Sequence, residues 1–104
     1  MKYFLTKLIP PRPTFAQDMT EAEATVMRDH VAYWTDLAER GTAVVFGPVA
    51  DPKGVWGVGI LEVADEAEVQ SLTANDPVMQ AALGATYEIL PMPRAVIWRK
   101  RQPA

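Results

Sequence analysis

The chain of 104 residues has no cysteine, a single histidine and a single serine. Without thiols there are no disulfides, no thiolate nucleophile and no sulfur-ligated zinc, and the redox compartment is left open. Neither sign of charge dominates: ten Lys and Arg oppose thirteen Asp and Glu, for a formal charge of -3. That balance is too weak for electrostatic capture of nucleic acid or an anionic membrane, and neither is expected as a partner. Long apolar runs are also missing. The opening MKYFLTKLIPP is broken by lysine and falls far short of the roughly 20 apolar residues that span a bilayer, so a cytoplasmic protein is expected. What remains, 49% hydrophobic and 22% charged residues, is ordinary globular composition. The length suits one domain, expected over residues 1–98, with a basic tail over 99–104.

Tyr3 to Ile9 is rich in aromatic and branched residues and is closed by Pro10, Pro11 and Pro13, which predicts a first strand followed by a rigid loop. Thr20 and Glu23 have capping-box spacing, and helical composition runs from there to a stop at Gly41. Two β-branched runs follow, Thr42 to Val49 and Val55 to Val63, joined by a Pro- and Gly-bearing turn. Asp65 and Glu68 open a second helix reaching Asn75, and Asp76-Pro77 starts a short extra helix that ends near Gly84. A last strand is predicted from Ala85 to Leu90 and again from Ala95 to Trp98, interrupted by Pro91 and Pro93. The order β-α-β-β-α-β is that of an α+β, ferredoxin-like sandwich, with a four-stranded antiparallel sheet and its helices on one face.

The third strand sharpens this picture. Val55, Gly57, Gly59, Leu61 and Val63 share one face, and Trp56, Val58 and Ile60 the other. Both faces are apolar, whereas the helices of a two-layer domain cover only one. A homodimer packed through the open sheet face is the expected remedy; the alternative is a monomer with an exposed apolar patch.

With one histidine, its position decides much. On a helical wheel His30 lies near the middle of an apolar arc made by Ala22, Val26, Met27, Tyr33, Trp34, Leu37 and Ala38, with Arg28, Asp29, Asp36 and Glu39 opposite. An imidazole there faces the sheet or a cavity beside it, where it can accept a proton near neutrality or hold a structural hydrogen bond. Asp76 reads first as a helix N-cap ahead of Pro77, but a carboxylate has acceptor capacity to cap a backbone and orient an imidazole together. Ser71 has no histidine near it in sequence. Gly54, Gly57 and Gly59 do not precede a helix, so they are no phosphate cradle. Asp18, Glu21 and Glu23 lack the partners of a transition-metal set. Arg12 and Phe15, in the Pro-rich loop, are candidates to cover a pocket and meet an anionic ligand, and Tyr33 and Trp34 to wall it.

Taken in order, His30 within the first helix, Gly41 and the β-run to Gly47-Pro48, the strand GVWGVGILEV, the segment Asn75-Asp76-Pro77-Val78 and Tyr87 to Pro91 resemble the YCII-related proteins, small members of the dimeric α+β barrel group. That resemblance implies a His–Asp pair at His30 and Asp76. It also implies hydrolytic or dehalogenating chemistry on small aromatic compounds, with isomerases and cofactor-free monooxygenases among related barrels. The loop Pro10 to Met19 is longer than in the shortest members and is placed to line or close a pocket. The expectation is an enzyme acting on a small aromatic or anionic molecule. His30 would serve as general base, Asp76 would fix its tautomer, and no metal or organic cofactor would be needed. A non-catalytic ligand-binding module and a cofactor-free oxygenase are the alternatives.

Overall fold

The computed structural model describes residues 1–98; the basic tail expected over 99–104 lies outside them. The elements are β1 (Lys2–Ile9), α1 (Phe15–Asp18), α2 (Glu21–Glu39), β2 (Ala43–Val49), β3 (Trp56–Val63), α3 (Glu66–Ala74), α4 (Pro77–Gln80) and β4 (Thr86–Pro91). The strands form one antiparallel sheet in the order β2-β3-β1-β4, the α+β arrangement expected. Among the described residues no helix is long and apolar enough to cross a membrane.

Local chemistry explains the boundaries. α2 opens on a complete capping box, in which the Thr20 hydroxyl accepts from Glu23 N–H and the Glu23 carboxylate accepts from Thr20 N–H, satisfying two otherwise orphaned donors. It closes at Gly41, whose φ of 80° is a left-handed conformation that glycine adopts without side-chain strain. Asp65 caps α3 through Glu68 N–H. The two short helices are set by local residues: Pro77 occupies the first turn of α4 behind its cap Asp76, and α1 interrupts the Pro-rich loop.

The register separates two sheet faces. Phe4, Thr6 and Leu8 on β1 stand opposite Leu61, Gly59 and Gly57 on β3, and this face packs under the helices. Phe4, Trp34, Leu37, Ala43, Leu61, Val63 and Val69 make one buried cluster, and Leu8, Val78 and Ala85 a second beneath α4. On the opposite face Leu5 pairs with Ile60 and with Leu90, and Ile60 with Val45. Val45 and Leu90 are about half exposed there, at 50% and 52%, so the centre of the uncovered face is apolar as the alternation implies, while Lys7, Glu62 and Glu88 share that face around it.

One expectation is corrected. The chain does not return to the sheet after Pro91: β4 ends there, Met92 N–H donates to Tyr3 O, and Ala95 to Trp98 form no strand. Pro93 has no ladder donor, and Val96 and Trp98, at 97% and 85% exposure, have no neighbouring strand to pack on among the described residues.

Candidate active site

His30 and Asp76, 46 positions apart, meet where α2 crosses α4. His30 Nδ1 lies 2.8 Å from Asp76 Oδ2 and 3.0 Å from Oδ1. Asp76 has no solvent exposure, and its carboxylate is surrounded by donors. Oδ1 accepts from Val78 N–H at 2.9 Å, the capping bond of α4. Oδ2 accepts from Trp34 Nε1–H at 2.9 Å and from the Tyr87 hydroxyl at 2.6 Å, while Trp34 Nε1 also lies 3.1 Å from the Tyr87 oxygen. With His30 this makes four donors on a group that has about four acceptor positions. The site also ties the two apolar clusters together, since Trp34 belongs to one and Val78 to the other.

The electrostatics reflect this crowding. Burial pushes the Asp76 carboxyl up, but the bonds from His30, Tyr87 and Val78 N–H outweigh it and hold the group below its ordinary value. The Tyr87 phenol moves far up, from burial first and the adjacent Asp76 charge second, so it stays a donor. Because an ionised carboxylate only accepts, the proton of the neutral imidazole sits on Nδ1 and the lone pair on Nε2. Nε2 has no partner among the described residues and is not enclosed.

His30 lines a cavity of about 300 Å³ between the sheet and α2, walled by Leu8, Met27, Phe46, Trp56 and Val78 among others. The Trp34 ring reaches the cavity floor because Gly59 is beneath it: a Cβ there would sit 2.4 Å from Trp34 Cη2 and 2.9 Å from Thr6 Oγ1. This gives a physical use to one of the strand glycines.

The loop from Pro10 to Met19 forms one side of this space, through Pro10, Pro11, Phe15, Ala16 and Met19. Of the residues singled out from sequence, the structure brings His30, Trp34 and Phe15 to the cavity, with Asp76 directly behind His30. It does not bring Arg12 or Tyr33. The Arg12 guanidinium is forked between Glu23 (2.8 and 2.9 Å) and Asp18 (2.8 Å) and lies over the Phe15 ring, so its charge is spent on tethering the loop to the start of α2. Tyr33 turns instead to α3, donating to Leu72 O at 2.8 Å. Its place on the apolar arc reflects helix packing and not contact with the cavity.

Tyr87 is a site residue that the sequence reading misses. Alternation along β4 carries the signal, because Tyr87 stands opposite Leu8 and therefore on the helix-covered face. A polar ring end there needs a buried partner, and Asp76 supplies it. Among the described residues no three His, Asp or Glu side chains are grouped to hold a metal ion.

The YCII-related domain matches residues 1–93, from β1 through the Asp76 turn to the end of β4. The chain belongs to the YCII-related family. None of the curated proteins matches it as a relative. Among solved structures, the chain is similar to the 5-chloro-2-hydroxyhydroquinone dehydrochlorinase TftG from Burkholderia phenoliruptrix AC1100, in its complex with 2,5-dihydroxybenzoquinone. The TM-score is 0.55 at 22% identity, over 82% of this chain and 90% of the other. At that identity the likeness carries the fold alone, and this YCII-related chain has the subunit architecture of the dimeric α+β barrels.

Proposed function

We propose that the protein is a small-molecule enzyme in which His30 is the general base and Asp76 the group that orients it. The observation that carries this reading is the 2.8 Å contact of Nδ1 with a fully buried carboxylate, beside an Nε2 that is left free on a cavity wall. Nε2 takes a proton from an acidic hydroxyl or carbon of the substrate. The electron pair left behind forms a new π bond, and a leaving group such as a halide departs with its own pair. The imidazolium that results is stabilised by the Asp76 charge. General base catalysis of this kind contributes about 10²–10⁴-fold, and positioning in the cavity supplies the remainder. The dehydrochlorination named for TftG is one reaction of this class.

The test measures halide release and absorbance changes with hydroxylated chloroarenes, 5-chloro-2-hydroxyhydroquinone included, for the wild type and for His30→Ala. Turnover in the wild type that falls at least about a hundredfold in the variant is expected; unchanged turnover in a folded His30→Ala protein removes His30 from the mechanism. A ligand-binding module would instead show a lower melting temperature in the variant, with no turnover in either form.

A homodimer through the open sheet face is part of the same proposal. The half-exposed Val45 and Leu90, in register with Leu5 and Ile60, form an apolar surface that a second copy of the sheet would cover.

A further inference from the structure

The donors around Asp76 are unevenly shared between its two oxygens. Oδ2 accepts from the Tyr87 hydroxyl at 2.6 Å, from His30 Nδ1 at 2.8 Å and from Trp34 Nε1–H at 2.9 Å. Oδ1 has Val78 N–H and the longer, 3.0 Å branch of the His30 bond. The shortest of these bonds comes from a phenol and not from the imidazole. A carboxylate stabilised by one donor is a weaker partner for the next, so what Tyr87 takes is withdrawn from His30. That division matters because the Asp76 charge acts on His30 in two opposed ways. It directs the ring proton to Nδ1 and leaves the Nε2 lone pair toward the cavity; it also favours the imidazolium, which has no lone pair to offer. Among the described residues no cation at the cavity offsets the second effect. The Pro10 to Met19 loop, β1, β2 and β3 turn no Lys, Arg, Asp or Glu into the lining, and Asp29 beside His30 on α2 is exposed. Arg12 is held by Glu23 and Asp18, and Tyr33 by Leu72 O. Asp76, the cap of α4, is therefore the titratable group that faces the imidazole, and Tyr87 on β4 acts through it.

We propose that Tyr87 is a positioning residue for His30: its hydroxyl draws part of the Asp76 charge away from the imidazole, so that the base rests unprotonated with its Nε2 lone pair available. The inference rests on the assignment of His30 as general base in the reading above. Tyr87 suits the task because its phenol keeps its proton, which burial first and the Asp76 charge second hold in place. For Asp76, burial acts upward, and the Tyr87 bond is among those that hold the carboxyl down against it. Tyr87→Phe strands no donor, since Trp34 Nε1–H keeps Oδ2, and the change removes one oxygen while leaving the ring on the cavity wall.

The experiment follows the ring NMR signals of the single histidine against pH in three full-length proteins: the wild type, Tyr87→Phe, and one carrying 3-fluorotyrosine at position 87, whose more acidic phenol is the stronger donor. Tyr87→Phe is expected to raise the midpoint of the histidine titration by at least about half a unit, a roughly threefold tighter hold on the proton, and the fluorotyrosine to lower it. Loss of packing alone does not give shifts of opposite sign. Unmoved midpoints in both proteins, or movement in the same direction in both, overturn the proposal, whatever happens to the melting temperature. With 5-chloro-2-hydroxyhydroquinone, the acid limb of kcat/KM for halide release should move to higher pH in Tyr87→Phe together with the midpoint. The titration itself needs no substrate. Opposite shifts without turnover of any hydroxylated chloroarene would reject the general base and leave the sharing of the Asp76 charge standing; turnover that depends on His30, with unmoved midpoints, would reject the role of Tyr87 alone.

Discussion

Replacing Asp76 with Asn keeps the shape of the side chain while changing one acceptor into a donor, and the geometry leaves that donor nowhere favourable to point. If the amide oxygen takes the Oδ1 position, Val78 N–H keeps its cap, but the NH₂ then faces Trp34 Nε1–H, which cannot turn away because its ring is 2% exposed and packed over Gly59. If the oxygen takes the Oδ2 position, Trp34 and Tyr87 keep their acceptor and Val78 N–H faces a donor instead. Each arrangement strands one buried N–H, at about 1–3 kcal/mol, and strips the charge from the bonds that survive. A loss of about 2–4 kcal/mol is expected from these two effects, read as a lower denaturant midpoint at unchanged slope. The consequence for His30 is separate: with no carboxylate to receive it, the Nδ1 proton is no longer favoured and the tautomer shifts toward Nε2–H. The analogous change in a Ser-His-Asp triad lowers kcat by about 10⁴. Nitrogen-15 chemical shifts of the single histidine report the tautomer directly. An Asp76→Asn protein with native stability and an unaltered imidazole would refute the arrangement described.

Four further outcomes are expected. Gly59→Ala drives a methyl into the Trp34 ring and Thr6, and should cost about 1–3 kcal/mol as overpacking while perturbing the His30 NMR signals; a silent substitution would contradict the close approach. Acid should destabilise the fold. Asp76, like Asp18 and Glu23, titrates below its ordinary value in the native state, Glu23 at about 2, so the stability these groups add is present above about pH 4 and is lost as pH falls through their native pKa values. The slope should be shallower in Asp76→Asn. Arg12→Ala frees the loop from Glu23 and Asp18, so amides of residues 14–18 should exchange faster, with little change in the global midpoint. Ile60→Glu places a charge in the middle of the open sheet face, and sedimentation should find a monomer; an intact dimer would place the interface elsewhere.

The order of elements was legible because each has a chemical signature near its ends: Thr20 with Glu23, Asp65 with Glu68, Asp76 before Pro77, and prolines closing β1. The pairing of His30 with Asp76 was accessible in a different way. Wheel position put the imidazole on the core side, but only the family resemblance linked it to a cap 46 positions away. Side-chain partners were harder to read. Arg12 looked like a free cation since the carboxylates that take it, Asp18 and Glu23, have a ready reading as a solvated helix start, and α1, which ends on Asp18, has no signature of its own. Tyr33 shares its arc with His30 and Trp34, yet an offset of about 60° from the one and about 100° from the other around α2 sends its hydroxyl to Leu72 on α3. The segment after Pro91 kept β-branched composition without a strand to pair with, and propensity alone does not make a ladder.

The scarcity of reactive side chains and the crowding of Asp76 are connected. A buried carboxylate is tolerated only when its charge is compensated, and here backbone, indole, phenol and imidazole share that task. Because the four donors fill its acceptor positions, Asp76 has no lone pair left for a ligand, and its influence reaches the cavity only through the imidazole. Cap, core polar group and orienting group are thus one residue, and loss of stability on its replacement says nothing about catalysis by itself. The single His, which narrows the mechanisms available, also makes the discriminating measurement simple: one imidazole gives one pair of nitrogen signals. The tautomer they report, compared between the wild type, Asp76→Asn and Tyr87→Phe, separates a network that orients a base from one that merely fills the core.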